Sequence, residues 1–229
     1  MALNESMIST SEFAALANIN VPVYAHVVSR SNNEHLKDED VRAMITGISK
    51  DYDNMGFQFA LKSVDYTLYA DWSSGQNEMA MKKKLRKGGY RTLKLYYVNS
   101  LPSSSSLQTT GLCYYPYPTN DGKGSDTLTR DGCTIRRDLL NNGQTTTHKV
   151  GHWLGLLHAF EGGCTGGGDQ IADTPACETT RGCDENTDTC PEFPEKDDVH
   201  NFMFYGTCRT RFIVGQAKRA HRQYNLYRA

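Results

Sequence analysis

The stretch of sequence that decides the fold is Thr147-His148-Lys149-Val150-Gly151-His152-Trp153-Leu154-Gly155-Leu156-Leu157-His158. His148 and His152 are four residues apart, so on a helix their imidazoles project from one face, one turn apart. Gly155 can adopt the backbone conformation that ends a helix and turns the chain, which would return His158 to the same point. Three imidazoles leave one position of a Zn²⁺ site open for a water that the metal makes acidic. The spacing therefore predicts a zinc site of the catalytic type.

The alternative for each of these histidines is an ordinary packing role. A lone histidine on an apolar helix face is more often a core residue than a ligand. Here three of the chain's seven histidines share one short segment, with a glycine at the expected bend. This clustering favours a metal site over three separate packing roles.

The sequence after His158 changes in character. It is rich in Gly, Thr, Asp, Cys and Pro, and periodicity returns only in the segment 216–227, which predicts a closing helix. Five of the seven cysteines lie in this last third of the chain. Cysteines crowded into loop-like sequence indicate disulfides formed in an oxidising compartment. The alternative is a zinc ribbon, but the chain has no Cys-x2-Cys pair. The odd count leaves one thiol over.

The sequence before the histidines predicts alternating strands and helices. Ile19 to Val28 is rich in β-branched and aromatic residues and predicts a strand, in which Pro22 suits an early or edge position. A core-facing helix is predicted next, behind an acidic start at 38–40 and ending near Gly56. Its apolar stripe is Val41, Met44, Ile45, Ile48 and Tyr52.

Alternation of apolar residues over Phe57 to Leu61 predicts a second strand. We predict a Lys-rich helix over Glu78 to Lys87, a strand over Thr92 to Val98, and a short strand over Gly111 to Tyr115. Loops are expected at Ser103 to Ser106 and at Thr119 to Asp126. The expected organisation is an N-terminal extension (1–18) and one domain of two lobes (about 19–158 and 159–229), the second irregular and held by disulfides.

Charge and hydropathy exclude several classes of protein. Lys and Arg number 25 and Asp and Glu 26, and the net charge of −1 is spread along the chain, so we expect no nucleic-acid partner. No run approaches the roughly 18 to 20 apolar residues that a membrane span needs. The first ten residues do not form a secretory signal, so a signal was removed or the natural start lies elsewhere. Asn4-Glu5-Ser6 is a glycosylation sequon.

The histidine segment resembles the metzincin signature H-E-x-x-H-x-x-G-x-x-H. The neighbouring Trp153 to Cys164, Asp173-Thr-Pro175 and Asn201-Phe-Met-Phe-Tyr205 are similar to the pappalysin family (peptidase family M43), in particular its secreted fungal and bacterial metalloproteases. Ile19 to Val28 and Leu85 to Tyr90 extend the resemblance over most of the chain.

The resemblance implies an α+β metzincin-like fold, with a twisted mixed sheet and two main helices in the first lobe. It also implies a secreted zinc metalloendopeptidase that acts on proteins or peptides, and we expect a monomer. A peptide would lie extended along the strand near 111–115, where a sheet edge offers backbone partners.

The family also implies roles for single residues. Met203 would form the tight turn beneath the zinc, with ordinary packing as the alternative, and Tyr205 would stabilise the reacting oxyanion with its phenol. The implied disulfides are Cys164 with Cys190, Cys183 with Cys208, and Cys113 with Cys133, which leaves Cys177 unpaired. The loop from Cys164 to Thr174 resembles a calcium loop of the family, in which Asp169 and Thr174 offer oxygen ligands. A loop that only turns the chain is the alternative.

The chain departs from the family at the position of the general base. The family's Glu takes a proton from the attacking water and passes it to the leaving amine, and Lys149 stands there instead. A protonated lysine has donors but no lone pair, so it can neither accept the proton nor orient the water. Two milder departures are Phe204, where the family often has Asp, and Gln144 to Thr147, where an Arg-containing approach is usual.

Three hypotheses therefore remain. The chain is a zinc metalloendopeptidase with impaired activity, a zinc-binding pseudoprotease that binds peptide without cutting it, or a secreted disulfide-held module whose histidine cluster is vestigial. Metal content separates the third from the first two. Peptide turnover separates the first from the second.

Overall fold

The computed structural model describes residues 16–34, 36–102, 109–118, 124–140 and 143–228. The sequon at 4–6, the loop expected at 103–106 and positions 119–123 of the second expected loop lie outside these residues. The elements in chain order are β1 (Ile19–Ser29), α1 (Asp38–Asp51), β2 (Phe57–Leu68), α2 (Ala70–Ser73), α3 (Glu78–Leu85), β3 (Leu93–Val98), β4 (Gly111–Cys113), α4 (Gly124–Arg130), β5 (Cys133–Arg136), α5 (Gly143–Trp153) and α6 (Val214–Tyr227).

The described strands form one mixed sheet of five, in the order β2-β1-β3-β5-β4. β1 pairs parallel with β2 and β3, β3 pairs parallel with β5, and β4 pairs antiparallel with β5. β4 is therefore an edge strand, with one side of its backbone unpaired within the described sheet. Pro22 lies in β1, which is paired on both sides, so the predicted edge position of this strand is wrong. The early position fits, because pairing with β3 begins one residue later, at Val23.

Helix α1 packs on one face of the sheet. Three acidic residues occupy its first turn, where negative charge stabilises a helix N-terminus, and its apolar stripe is buried as predicted. The helix ends at Asp51, and a 3₁₀ turn (Asp53–Met55) leads to Gly56, whose φ of 73° only glycine adopts without strain. The Tyr52 hydroxyl donates a hydrogen bond to the Thr147 carbonyl at 2.8 Å, which joins the end of α1 to α5.

The same sheet face carries the main hydrophobic core. Alternate β1 residues, among them Val23 and Val27, are fully buried there together with Val150 and Trp153 of α5. Because β1 side chains alternate between faces, Val28 lies on the other side, in a smaller cluster with Met81 of α3. Helix α5 is thus fixed by burial of one face, which leaves its other residues directed toward β4 and the segment that follows.

The segment from 154 to 213 is fully described and contains neither helix nor strand, apart from one bridge between Asn201 and Arg211. Two disulfides, Cys164–Cys190 and Cys183–Cys208, lie within it, and a third, Cys113–Cys133, joins β4 to β5. These are the three pairs that the family resemblance implies. Cys177 is a buried free thiol, and burial raises its pKa to about 12, so it is unreactive near neutral pH.

The end of the chain returns to the core. Arg228 is fully buried, and its guanidinium donates to the Trp153 carbonyl and to Asp131 at 2.9 Å each. Asp131 also accepts from Lys94 at 2.7 Å, so one buried carboxylate holds two cations. This cluster ties α6 to β3 and to the end of α5.

Several sequence expectations about secondary structure need correction. The second strand extends to Leu68, and the Lys-rich helix stops at Leu85. Residues 124–126 of the expected loop begin helix α4. The sequence analysis missed β5, a short strand that pairs on both sides and so lacks the alternation of a half-exposed strand. Among the described residues, no helix is long and apolar enough to span a membrane.

Candidate metal centre

Helix α5 and the turn after it bring three histidines together. The potential ligand atoms of His148, His152 and His158 all lie within 4.8 Å of one another. The Nε2 atoms of His148 and His152 are 3.1 Å apart. Gly155 adopts a φ of 91°, and a Cβ there would lie 2.7 Å from Gln223, so both backbone and space require glycine at this bend. Among the described residues this is the one group of three such side chains that could hold a metal ion.

Hydrogen bonds to the second ring nitrogens orient two of the imidazoles. His148 Nδ1 lies 2.8 Å from the Phe202 carbonyl, and His152 Nδ1 lies 2.9 Å from the Leu156 carbonyl. Each carbonyl accepts from a protonated Nδ1, which leaves the lone pair on Nε2. His158 stacks on Phe160 with ring centroids 4.8 Å apart. The tautomers and ring planes are therefore set by the fold.

The histidines are neutral at neutral pH. Burial, followed by the positive charge of Lys149 and then that of His158, lowers the pKa of His152 to about 3. Burial, followed by His152 and then Lys149, holds the pKa of His148 well below its usual range. Burial and Lys149 lower the pKa of His158 to about 4. A neutral imidazole is the form that binds a metal. The charge state and the geometry of the three rings thus both fit a cation.

Met203 lies beneath the histidines and is fully buried. Its sulfur would collide with any Cβ on Gly151, so glycine at this position lets the turn reach α5. The Met203 carbonyl accepts from the amide of Ala159, next to His158, at 3.1 Å. The turn that contains Met203 therefore contacts the histidine segment at Gly151, in its middle, and at Ala159, just after its end.

Two residues that the sequence analysis gave no role hold this turn. Asn201 Oδ1 accepts from the Met203 amide and from Gln216 Nε2, both at 2.9 Å, and Asn201 Nδ2 donates to Gln216 Oε1 at 3.1 Å. Both side chains are fully buried. Asn201 begins the quoted Asn-Phe-Met-Phe-Tyr segment, so the sequence motif could have indicated a role for it. Gln216 belongs to α6 and carried no local signal.

Two tyrosines face the triad. The Tyr205 hydroxyl is 3.3 Å from His158 Nε2, and burial raises its pKa, so the phenol remains protonated and can donate a hydrogen bond. The Tyr115 hydroxyl is 3.1 Å from His152 Nδ1. The sequence analysis selected Tyr205 and gave Tyr115 no role. Nothing in the sequence around Tyr115 distinguishes it from other surface tyrosines.

Lys149 lies on α5 between the first two histidines and is partly buried. Within the described part of the chain, no hydrogen bond or ion pair reaches its Nζ. Burial, with the charge of Arg209 as a second cause, lowers the pKa of Lys149 to about 8, so the ammonium form still prevails at neutral pH. The position where the family has its base thus carries a donor.

The other two departures from the family do not enter the triad. Phe204 is buried, and its ring packs on Phe160. Gln144 donates to the Thr207 and Arg209 carbonyls at 2.9 Å each and so anchors the start of α5 to the C-terminal segment.

The expected calcium loop is internally satisfied. Asp169 is buried, and its two oxygens accept from the Ile171 amide at 3.0 Å and from the Thr174 hydroxyl at 2.9 Å. Burial raises the pKa of Asp169 to about 6, and both of its oxygens already accept hydrogen bonds from within the loop. No group of three acidic, His or Cys side chains assembles in this part of the described chain. The geometry corresponds to the alternative, a loop that turns the chain.

Comparison with solved structures identifies the fold. Mirolysin in complex with a compound superposes with a TM-score of 0.72 at 23% identity, covering 92% of this chain and 93% of that one. Mature mirolysin of Tannerella forsythia in complex with a cleaved peptide gives 0.68 at 21% identity, covering 93% and 97%. The predicted α+β metzincin-like fold is confirmed.

Curated relatives are more similar in sequence. An extracellular metalloprotease of Neurospora crassa is 38% identical over 98% of this chain and 81% of its own length. One of Sordaria macrospora is 40% identical over 94% of this chain and 78% of its own. The model of peptidase family M43, described as pregnancy-associated plasma protein-A, matches residues 79–224, which include the whole histidine segment. The chain therefore belongs to peptidase family M43, a family of metalloproteases.

Proposed function

We propose that this chain is a secreted zinc metalloendopeptidase scaffold whose hydrolytic step is impaired at Lys149. The observation that carries the proposal is the convergence of three neutral imidazoles, His148, His152 and His158, on one point. Two of them are fixed by backbone carbonyls, as metal-ligating histidines usually are.

The donor set fits Zn²⁺. Three nitrogen ligands with one position left open are typical of catalytic zinc, and the described residues bring no fourth His, Cys, Asp or Glu to the group. A bound zinc ion would supply Lewis-acid polarisation of a peptide carbonyl and an acidified water. The chain's own part is to hold the three rings in place and to exclude bulk water on the side of Met203 and Gly151.

We propose that the peptide binds along the edge strand β4. Its unpaired side offers backbone donors and acceptors to an extended chain of any sequence. Gly111 of β4 lies against the Lys149 side chain on α5, so a peptide along this edge passes the triad. Tyr205 then donates its hydroxyl hydrogen to the oxygen on which negative charge develops.

Lys149 determines the rate of hydrolysis that the site can reach. A positioned general base typically contributes about 10² to 10⁴ in rate, and an ammonium cannot accept the proton. We therefore expect zinc and peptide binding to survive and hydrolysis to be slow. A neutral amine at this position differs in length from a glutamate and would be placed differently, so it does not replace the base.

A second candidate function is a pseudoprotease that binds zinc and peptide without cutting. The same observation, an ammonium at the base position, favours it. Secretion is proposed in either case, because the relatives are named extracellular metalloproteases and the chain holds three disulfides.

Metal analysis of the purified protein tests the proposal. After incubation with Zn²⁺ and removal of the excess, we expect one zinc per chain, and His152→Ala should lose it. His200→Ala is the matched control, because His200 contacts Glu185 and the Cys208 carbonyl and belongs to no triad. Full zinc content in His152→Ala would contradict the proposed site, and no zinc in the unmodified chain would support the vestigial module instead.

A further inference from the structure

Tyr115 lies where the edge strand β4 meets the metal centre. It follows Cys113, the last residue of β4, by two positions. Its ring stands edge-on to the His152 imidazole, with ring centroids 5.3 Å apart, and its hydroxyl oxygen lies 3.1 Å from His152 Nδ1. Tyr115 is nevertheless 43% exposed. A ligand in the cleft can therefore reach a side chain that also contacts the triad.

The contact with His152 leaves the hydrogen of the Tyr115 hydroxyl unused. His152 Nδ1 also lies 2.9 Å from the Leu156 carbonyl oxygen. A carbonyl can only accept, so Nδ1 carries a hydrogen and has no lone pair for a second donor. The Tyr115 oxygen can therefore only share that hydrogen as an acceptor. Among the described residues the Tyr115 hydroxyl has no other hydrogen-bond partner, so one donor remains at the cleft.

The backbone around Tyr115 supplies few donors of its own. Pro116 and Pro118 have no amide hydrogen. The two other neighbouring amides already donate within the chain: that of Tyr114 to the Gly132 carbonyl at 3.4 Å, and that of Tyr117 to the Tyr90 hydroxyl at 2.8 Å. After the amide of Tyr115, this segment therefore offers an extended peptide no further main-chain donor before position 119.

We propose that Tyr115 binds the substrate, by donating its hydroxyl hydrogen to a main-chain carbonyl of a peptide that lies along β4. This role rests on the proposed function, because it uses the same peptide site. The hydroxyl adds one donor at the point where the amides of the edge run out. Because its partner is a main-chain group, the interaction is open to peptides of any sequence. Tyr205 contacts a different histidine, His158, so the two phenols serve different oxygens.

Fluorescence anisotropy on the zinc-loaded protein tests this role. The probe is a labelled octapeptide, acetylated and amidated at its ends, that is selected from a random library for the tightest zinc-dependent binding. Tyr115→Phe removes only the hydroxyl, and at matched zinc content it should raise the Kd about three- to tenfold, the usual effect of one hydrogen bond. Tyr117→Phe is the matched control, because Tyr117 is a similarly exposed tyrosine of the same segment, and its Kd should stay unchanged.

A scan of the probe's own carbonyls identifies the acceptor. Each variant probe has one main-chain amide replaced by an alkene, and at one position this change and Tyr115→Phe should not be additive, because both remove the same hydrogen bond. An unchanged Kd in Tyr115→Phe, or additivity at every position, would overturn the role and leave the proposed function intact. Weaker zinc binding in Tyr115→Phe, with an unchanged Kd at matched zinc content, would show that the hydroxyl only supports His152. No zinc-dependent peptide binding by the unmodified chain would refute the proposed function and this role together.

Discussion

The contribution of Asn201 to stability can be measured, because the turn that contains Met203 depends on the side-chain amide of Asn201. Asn201→Leu keeps the branched heavy-atom shape of the side chain and removes its hydrogen bonds. The buried Met203 amide and Gln216 Nε2 then lose the oxygen that both of them use. Gln216 Oε1 keeps one donor, the Ile213 amide at 3.1 Å.

The expected loss of stability follows from the two hydrogen-bond donors that are left without an acceptor. Each unsatisfied buried group costs about 1 to 3 kcal/mol, so the free energy of unfolding should fall by about 4 kcal/mol. For a chain of this length, that corresponds to a decrease in melting temperature of about 8 to 16 °C. The Phe202 carbonyl that orients His148 belongs to the same turn, so zinc affinity should fall about 10- to 100-fold.

Urea unfolding followed by tryptophan fluorescence measures the stability, and competition with a chelator measures the zinc affinity. Asn54→Leu is the matched control, because Asn54 is exposed, and it should change stability by less than about 0.5 kcal/mol. Gln216→Met is a milder companion variant, because Asn201 Oδ1 keeps the Met203 amide and Asn201 Nδ2 keeps Asp198 Oδ2 at 3.3 Å, so only the Ile213 amide loses its acceptor. It should lose only about 1 to 3 kcal/mol.

An Asn201→Leu protein with the unfolding midpoint and zinc affinity of the unmodified chain would refute this reasoning. A variant that loses stability but retains zinc affinity would show that the turn supports the fold and does not position His148.

Three further predictions concern other parts of the molecule. Arg228→Ala should destabilise the fold by about 3 to 5 kcal/mol in urea unfolding, because it removes a buried partner of Asp131, whereas the exposed Arg222→Ala should not. Burial lowers the pKa of His26 to about 4, so the neutral form is favoured in the folded state. The unfolded chain therefore binds this proton more readily, and the free energy of unfolding is smaller below pH 4 than above pH 6.5 by about 3 kcal/mol. His26→Phe should flatten that dependence, and unchanged pH dependence would contradict it. A bound peptidomimetic should protect the amides of 111–113 from hydrogen exchange. Unaltered exchange there would argue against peptide binding along β4.

The sequence predicted the convergence of the three histidines because its signal is local. His148, His152 and His158 lie on one helix and one turn, and a single Gly155 fixes the bend between them. Helix α1 was predictable for the same reason, because its buried face follows the helical period.

The supports of the centre were not predictable from local pattern. Asn201 meets Gln216 across the boundary between the irregular segment and α6, and Asp131 meets Lys94 and Arg228 from distant parts of the chain. Such pairs depend on tertiary packing and leave no periodicity in the sequence. The start of α4 was missed because its residues are the glycine and polar types that also form loops.

The central claim is that the zinc site is intact and that only the base is missing, and a comparison of Lys149→Glu with the unmodified chain tests it most directly. The measurement is the rate of cleavage of a broad peptide library at matched zinc content. Glutamate restores a carboxylate acceptor one residue after the first ligand, so the rate should rise by about 100-fold or more, with zinc content little changed. Lys149→Gln is the control, because it removes the positive charge without supplying a base, and it should remain slow. An unmodified chain that already cleaves as fast as Lys149→Glu, or a zinc-loaded Lys149→Glu that stays inert, would contradict the claim.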